Sequence, residues 1–262
     1  MIKVNGTIIE QNHFPDNSLL VKFTVDAKTK NYIEWNYEND GELFTLICLR
    51  RSIKSDYVDL YMPYVPHARQ DRVKNDEDVF TLKYFCEIIN SLNFNHVFVL
   101  DVHSNVSLAL LNSYVLLSPA PYIAQAIDDI NSETLIAFYP DEGAMKRYST
   151  TNEMPYAFGV KNRDWKTGTI TGLTLINKER VYGRDVLIID DICSYGGTFL
   201  HSAKALKAAG AANIYLYITH LEDSVLKGDL YKEMKENGLI KQIYTANPLS
   251  NDLRGKEMIK VV

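Results

Sequence analysis

The stretch Val186–Thr198, VLIIDDICSYGGT, decides the fold. An apolar run rich in β-branched residues ends in two adjacent aspartates, and a short glycine-containing loop then leads into a helix start. The run reads as a buried strand of a parallel sheet flanked by helices. At the carboxyl edge of such a sheet, loop amides and the helix N-terminus face outward and can cradle a phosphate. Gly196 and Gly197 allow close backbone approach, while Ser194, Tyr195 and Thr198 offer hydroxyls. Asp190 and Asp191 can accept hydrogen bonds from the vicinal hydroxyls of a ribose. An acidic strand end beside a glycine turn is common. Strand, diacid, small-residue loop, threonine and helix in that order are far less so.

Outward from this segment, short apolar runs alternate with helical patterns. Leu43–Leu49, Val58–Tyr64, His96–Leu100, Thr134–Tyr139 and Ile214–Thr219 are expected as further strands. In Asp78–Leu92, the residues Phe80, Tyr84, Phe85, Ile88, Ile89 and Leu92 recur at helical spacing and are expected to form a buried stripe. Thr198–Ala209 and Asp223–Asn237 read as helices stopped by Gly210 and Gly238. This alternation predicts an α/β protein with mainly parallel sheets flanked by helices. Ser118-Pro119-Ala120-Pro121 is the expected junction, dividing the chain into domains 1–120 and 121–262. VFVLDVHS in the first half echoes VLIIDDICS in the second, a hint of duplication.

The chain has 262 residues, 46% of them hydrophobic and 23% charged, which sets aside disorder and coiled coil. Its net charge of −5 argues against a general grip on nucleic acid or an anionic membrane. No apolar run is long enough to span a bilayer, and MIKVNGTIIEQ lacks the order of a signal peptide. The three cysteines have no metal-ligand spacing and read as thiols in a reducing compartment, so a cytoplasmic protein is expected. His13, His67, His96, His201 and His220 follow no usable pattern.

The order of VLIIDDICSYGGT resembles the signature of the type I phosphoribosyltransferase fold, in which the diacid holds ribose and the loop holds its 5′-phosphate. Other segments are more selective. Tyr61–Arg72, YMPYVPHARQDR, is similar to the ATP-binding segment of the ribose-phosphate pyrophosphokinases, the phosphoribosyl pyrophosphate synthetases. Phe14-Pro15-Asp16 resembles the family element that reaches a neighbouring subunit's nucleotide, and Asp101-Val102-His103-Ser104 resembles its DLHA element. Tyr139–Arg147, YPDEGAMKR, is similar to its SPDxGGxKR stretch, and Lys161-Asn162-Arg163 stands where the family has its catalytic loop with Lys-x-Arg. These elements keep the family's order over nearly the whole chain, which looks like a short, phage-like form.

The resemblance implies two tandem phosphoribosyltransferase-like domains and transfer of the β,γ-diphosphate of ATP, with Mg²⁺, to the C1 hydroxyl of ribose 5-phosphate. Lys161 and Arg163 are then catalytic. Phe14, Asp16, Arg69, Gln70, Asp71, Arg72 and His103 take ATP, while Asp190, Asp191, Ser194, Tyr195, Gly196, Gly197 and Thr198 take the ribose phosphate. Asp141 and His103 fall where the family gathers Mg²⁺ and the triphosphate. Since Mg²⁺ prefers oxygen ligands, Asp141 suits it better than His103. The arm at Phe14 implies a homo-oligomer, a dimer or a hexamer. Around Lys161 and Arg163, the apolar segments flanking Asp-Trp-Lys-Thr-Gly indicate a hairpin-like mobile lid.

Departures from the family bear on substrate and control. Ser194 and Tyr195 replace the usual aspartate and threonine, and Tyr195 adds a stacking face that an ADP-ribose acceptor in NAD salvage would use. Asn17-Ser18 replaces the Gly-Glu that normally follows the arm. VKNDEDVF replaces a basic regulatory loop and the chain stops at EMIKVV, so ADP and phosphate control is expected to be lost. A phosphoribosyltransferase explains IIDDICSYGGT but leaves ARQDR and PDEGAMKR without a role. A non-catalytic regulatory homologue is disfavoured by Lys161 and Arg163.

Overall fold

The computed structural model describes residues 1–24, 30–151, 153–163 and 170–262, with 161–163, 170 and 171 described by backbone alone. The chain divides into two compact units, Met1–Ser118 and Pro119–Val262.

The first unit opens with β1 (Ile2–Val4), β2 (Thr7–Ile8), β3 (Gln11–His13), β4 (Leu19–Val21) and β5 (Asn31–Trp35). It continues through α1 (Gly41–Ser52), β6 (Val58–Tyr61), α2 (Thr81–Ser91), β7 (Val97–Leu100), α3 (Asn105–Leu110) and β8 (Tyr114–Leu117). Six strands form one sheet in the order β2-β1-β5-β6-β7-β8, and β3 and β4 make a separate two-stranded ribbon. β5 to β8 are parallel, whereas β1 is antiparallel to both neighbours. Each step from β5 to β8 moves one place in the same direction, so right-handed crossovers deliver the three helices to one face. On that face Leu46 and Leu49 of α1 and Leu82, Phe85, Cys86 and Ile89 of α2 close over Ile33, Trp35, Leu60, Val97 and Val99.

Leu43–Leu49 is a correction: it lies inside α1, not in a strand. A short apolar run does not distinguish the two by content alone. The deciding pattern is the helical spacing of buried Glu42, Thr45, Leu46 and Leu49, with Glu42 in the first turn and Arg50 and Arg51 in the last. In α2 the buried stripe runs through Leu82, Phe85, Cys86 and Ile89, while Tyr84 is exposed, so the expected face is rotated.

The second unit contains α4 (Ala120–Ile130), β9 (Ile136–Tyr139), α5 (Glu142–Tyr148), β10 (Tyr156–Arg163), β11 (Ile170–Ile176) and β12 (Val186–Cys193). α6 (Gly197–Ala208), β13 (Ile214–Leu221), α7 (Asp229–Asn237), β14 (Ile243–Pro248) and β15 (Ile259–Val261) complete it. Its seven-stranded sheet has the order β11-β10-β9-β12-β13-β14-β15, parallel except for the β10–β11 pair. From β9 the chain steps one way to β10 and returns to the other side for β12. Helices therefore cover both faces. Phe199, Ala203, Leu206, Leu230 and Met234 of α6 and α7 pack on Phe138, Ile188 and Leu216. Ile123, Ala126, Ala144 and Tyr148 of α4 and α5 pack on Tyr139, Leu187, Ile189 and Tyr217. The helix expected over Asp223–Asn237 is broken into a 3-10 turn, Asp223–Lys227, and α7, with Gly228 between them.

Candidate active site

The second unit's site lies where its sheet forks. β12 stays paired with β13 as far as Cys193, but its pairing with β9 ends at Ile188. β9 turns away at Pro140-Asp141 into α5, leaving a crevice at the carboxyl ends, at the point where strand order reverses. Asp190 and Asp191 enter it from β12. From β9 comes Asp141, which caps α5 by accepting from the Ala144 N–H at 3.0 Å. The charges of Asp191 and Asp141 thus both bear on Asp190 at the fork. Burial pushes the Asp190 carboxyl well above its usual range, helped by the charge and hydrogen bond of Asp191 and by the charge of Asp141. Asp191, 5% exposed, is paired with Arg147 of α5 at 3.4 Å. Arg147 stands in the last turn of α5 and gives no sequence signal of its own beyond the end of YPDEGAMKR; its place at the diacid comes from the packing of α5.

The loop after the diacid is wedged in place. Gly196 has φ +84°, and a Cβ there would stand 2.5 Å from Leu230. A Cβ on Gly228 would stand 2.0 Å from the Tyr195 carbonyl oxygen. Residues 228–230 therefore fix the path of Tyr195 and Gly196. Gly197 opens α6, where the first-turn amides lack intrahelical partners and can donate to an anion. Ser194 and Thr198 are half-buried, and Tyr195 is 63% exposed. Lys161 and Arg163 belong to β10, whose backbone pairs with β11 opposite Leu173 and Ile170, with an irregularity between Asn162 and Arg163. The side chains of Lys161 and Arg163, and the Asp-Trp-Lys-Thr-Gly segment of the expected lid, lie outside the described residues.

In the first unit, ARQDR follows β6 and Asp101–Ser104 follows the adjacent parallel strand β7. Ser104 Oγ donates to Asp71 at 2.7 Å, joining the two loops. Arg72 donates to the same carboxylate through Nε at 2.7 Å and a terminal nitrogen at 3.0 Å. The Arg72 guanidinium is the main reason the Asp71 carboxyl is lowered to about 2, against the opposing effect of burial. Asp71 thus ties the loops together, with Arg69, Gln70, Arg72 and His103 on the exposed side. Gln70 Oε1 accepts from the Thr81 hydroxyl at 2.7 Å, anchoring it to the start of α2. Phe14 and Asp16 are at the tip of the β3–β4 ribbon, closed by the Phe14 N–H donating to the Ser18 carbonyl at 2.9 Å. Phe14 is 50% exposed, and Asp16 accepts from the Ser18 hydroxyl at 2.7 Å.

For Mg²⁺, the donors that fit are the carboxylate oxygens at the fork, because a divalent cation would offset the burial and the neighbouring negative charges that together raise the Asp190 carboxyl. Among the described residues no cluster of three His, Cys, Asp or Glu side chains forms a metal cage by itself. Substrate oxygens would have to complete the shell.

No protein-family model matches the sequence. The ribose-phosphate pyrophosphokinase of Saccharolobus solfataricus is 26% identical over 254 residues, which covers 93% of this chain and 86% of that protein. That of Mycoplasma pneumoniae is 23% identical over 264 residues, covering 95% and 78%. The phosphoribosylpyrophosphate synthetase structure from Mycobacterium smegmatis superposes with a TM-score of 0.74 over 97% of this chain and 85% of its own, at 18% identity. The chain is a homologue of the ribose-phosphate pyrophosphokinases. Its fold is theirs, two phosphoribosyltransferase-like domains, and it is an enzyme of that type. Among described residues, no helix is long and apolar enough to cross a membrane.

Proposed function

We propose that this chain transfers the β,γ-diphosphate of ATP to the C1 hydroxyl of ribose 5-phosphate, giving phosphoribosyl pyrophosphate and AMP for nucleotide biosynthesis. The C1 oxygen bonds to the β-phosphorus as the bond from that phosphorus to the oxygen bridging it to the α-phosphate breaks. The bridging oxygen leaves on AMP. The observation that carries this reading is the sheet fork, where β12 brings Asp190 and Asp191, Arg147 pairs with Asp191 and Asp141 caps α5, beside a loop and helix start that present amides.

The ribose hydroxyls donate to Asp190 and Asp191, with Arg147 holding the second carboxylate in place. The 5′-phosphate takes the amides of Gly196, Gly197 and Thr198 and the hydroxyls of Ser194 and Thr198. In the first unit Arg69 and Arg72 face the triphosphate, Gln70 reads an adenine edge, and His103 touches phosphate or a metal-bound water. Asp71 positions Arg72. Phe14 and Asp16 reach the nucleotide of a neighbouring copy. Lys161 and Arg163 neutralise charge on the phosphoryl group in flight. Mg²⁺, held by Asp141 and substrate oxygens, supplies further charge neutralisation and orientation when bound.

The exposure of Tyr195 favours one second reading, the same transfer to ADP-ribose in NAD salvage or reconstitution, with the ring stacking on the additional group. Mass spectrometry of reactions with ATP, Mg²⁺ and either acceptor separates the two. AMP together with an acceptor heavier by one diphosphate supports the transfer, and the active acceptor names the substrate. ADP in place of AMP would mean a simple kinase and would overturn the proposal. No nucleotide turnover with either acceptor would also overturn it, in favour of a phosphoribosyltransferase or a non-catalytic homologue.

A further inference from the structure

The ARQDR segment of the first unit hangs on a residue to which neither the sequence nor the proposed chemistry gives a role. Among the described residues, positive φ occurs outside glycine at asparagines, Ser113, Asp101 and His67. His67, at φ +63°, has the bulkiest of these side chains and stands two residues before Arg69. Such a conformation persists only where the surroundings over-determine it. Here they do so from two sides. His67 Nε2 donates to the Asp40 carboxylate at 3.0 Å, and the imidazole lies beside the Phe85 ring of α2 with centroids 5.5 Å apart. Asp40 precedes α1, where an aspartate ordinarily caps the first amides, yet its side chain makes no capping bond. Its Oδ1 accepts instead from His67 and, at 2.9 Å, from the Tyr37 hydroxyl. One ring thus joins α1 and α2 to the ARQDR segment.

The tie bears on where the segment points. The His67 carbonyl accepts from the Gln70 N–H at 2.8 Å, which closes a four-residue turn. Within it Ala68 is buried, while Arg69 and Gln70 are exposed. Thr81 pins the far end by donating to Gln70. The φ of His67 sets the direction in which the chain enters this turn, and so which of its residues face outward. We propose that His67, held by Asp40, is a positioning residue for the nucleotide: it fixes the turn that presents Arg69 and Gln70 to ATP. This rests on the reading of the first unit as the one that takes ATP. The Asp40 side chain is 68% exposed, so the pair acts as a hydrogen bond more than as a charge pair, and the expected effect is several-fold.

Calorimetric titration with ATP and Mg²⁺, steady-state kinetics and limited trypsin digestion of the full chain test this. His67→Ala should weaken ATP about five- to twentyfold, with the loss falling on the ATP KM rather than on kcat. Trypsin cleavage after Arg69 should quicken at least about fivefold while circular dichroism stays the same. His67→Gly relieves the backbone but cuts the tie, so it should behave like His67→Ala. Asp40→Ala should reproduce both effects, and the double variant should bind ATP no more weakly than the weaker single variant. A parent-like His67→Gly, losses that multiply in the double variant, or weaker ATP without faster cleavage would each overturn the positioning role. Equal ATP binding by the parent and His67→Ala would do the same. A parent that binds no ATP would overturn the reading of the first unit itself, a result distinct from equal binding.

Discussion

In the second unit β9, β12 and β13 are buried almost without interruption, whereas in the first unit β5 and β6 alternate buried and open residues. The difference follows from the path of the chain. Opposed steps on either side of β9 place helices on both faces and open a fork at the reversal, where the charges of Asp141 and Asp191 bear on Asp190. Steps in one direction from β5 to β8 place α1, α2 and α3 on one face, leave the other without helices among the described residues, and set the segments after β6 and β7 beside each other at the strand ends. The two sites differ in local charge: acids stand at the fork of the second unit, and Arg69 and Arg72 on the exposed loop of the first. The proposed division of labour between an acceptor unit and a nucleotide unit follows this difference.

The largest effect should come from Lys161→Ala, which is expected to lower kcat about 100- to 1,000-fold with ATP affinity intact. Near-normal turnover would remove Lys161 from the chemistry. Asp190→Ala should raise the acceptor KM at least about tenfold and leave ATP binding alone. Equal weakening of both substrates in titration calorimetry would break the division between the units. Gly228→Ala forces a methyl group toward the Tyr195 carbonyl. It should cost about 1–3 kcal/mol in urea unfolding and weaken the acceptor without touching ATP.

Two smaller effects concern pH. The Asp190 carboxyl is raised in the folded state, so its contribution to stability is full below the ordinary carboxylate range and is lost as pH rises through the raised value. Asp190→Asn should therefore match the parent near pH 4 and melt about 2–4 °C higher at neutral pH, while losing acceptor binding. The Asp71 carboxyl is lowered to about 2, so its stabilisation is present above about pH 4 and lost as pH falls toward 2. Asp71→Asn should be less stable at neutral pH, and the gap should close over that window in acid titrations followed by circular dichroism.

The legibility of the two units differed in the same sense as their burial. Continuously apolar strands such as VLIIDD and IYLYITHL announce themselves because both of their faces are dry. NYIEW has one wet face, and β1, β2 and β8 have few residues or little burial, so these strands of the first sheet give no sequence signal, whereas β6 and β7 do. LFTLICL was read as a strand because an apolar run carries no direction; only its packing against the sheet shows which residues face inward.

The sequence by itself determined the three central strands of the second half (β9, β12 and β13), the helix after the diacid, the diacid and its loop, and the family resemblance, because these depend on residue type and local spacing. Tertiary structure alone decided that Arg147 meets Asp191, that Ser104 ties to Asp71, that Gly228 wedges the loop at Tyr195, and that α1, α2 and α3 share one face of the first sheet. Each of these depends on which strands become neighbours and on which side each crossover lands. Such long-range geometry is set by the packing of the whole unit, and no local pattern encodes it.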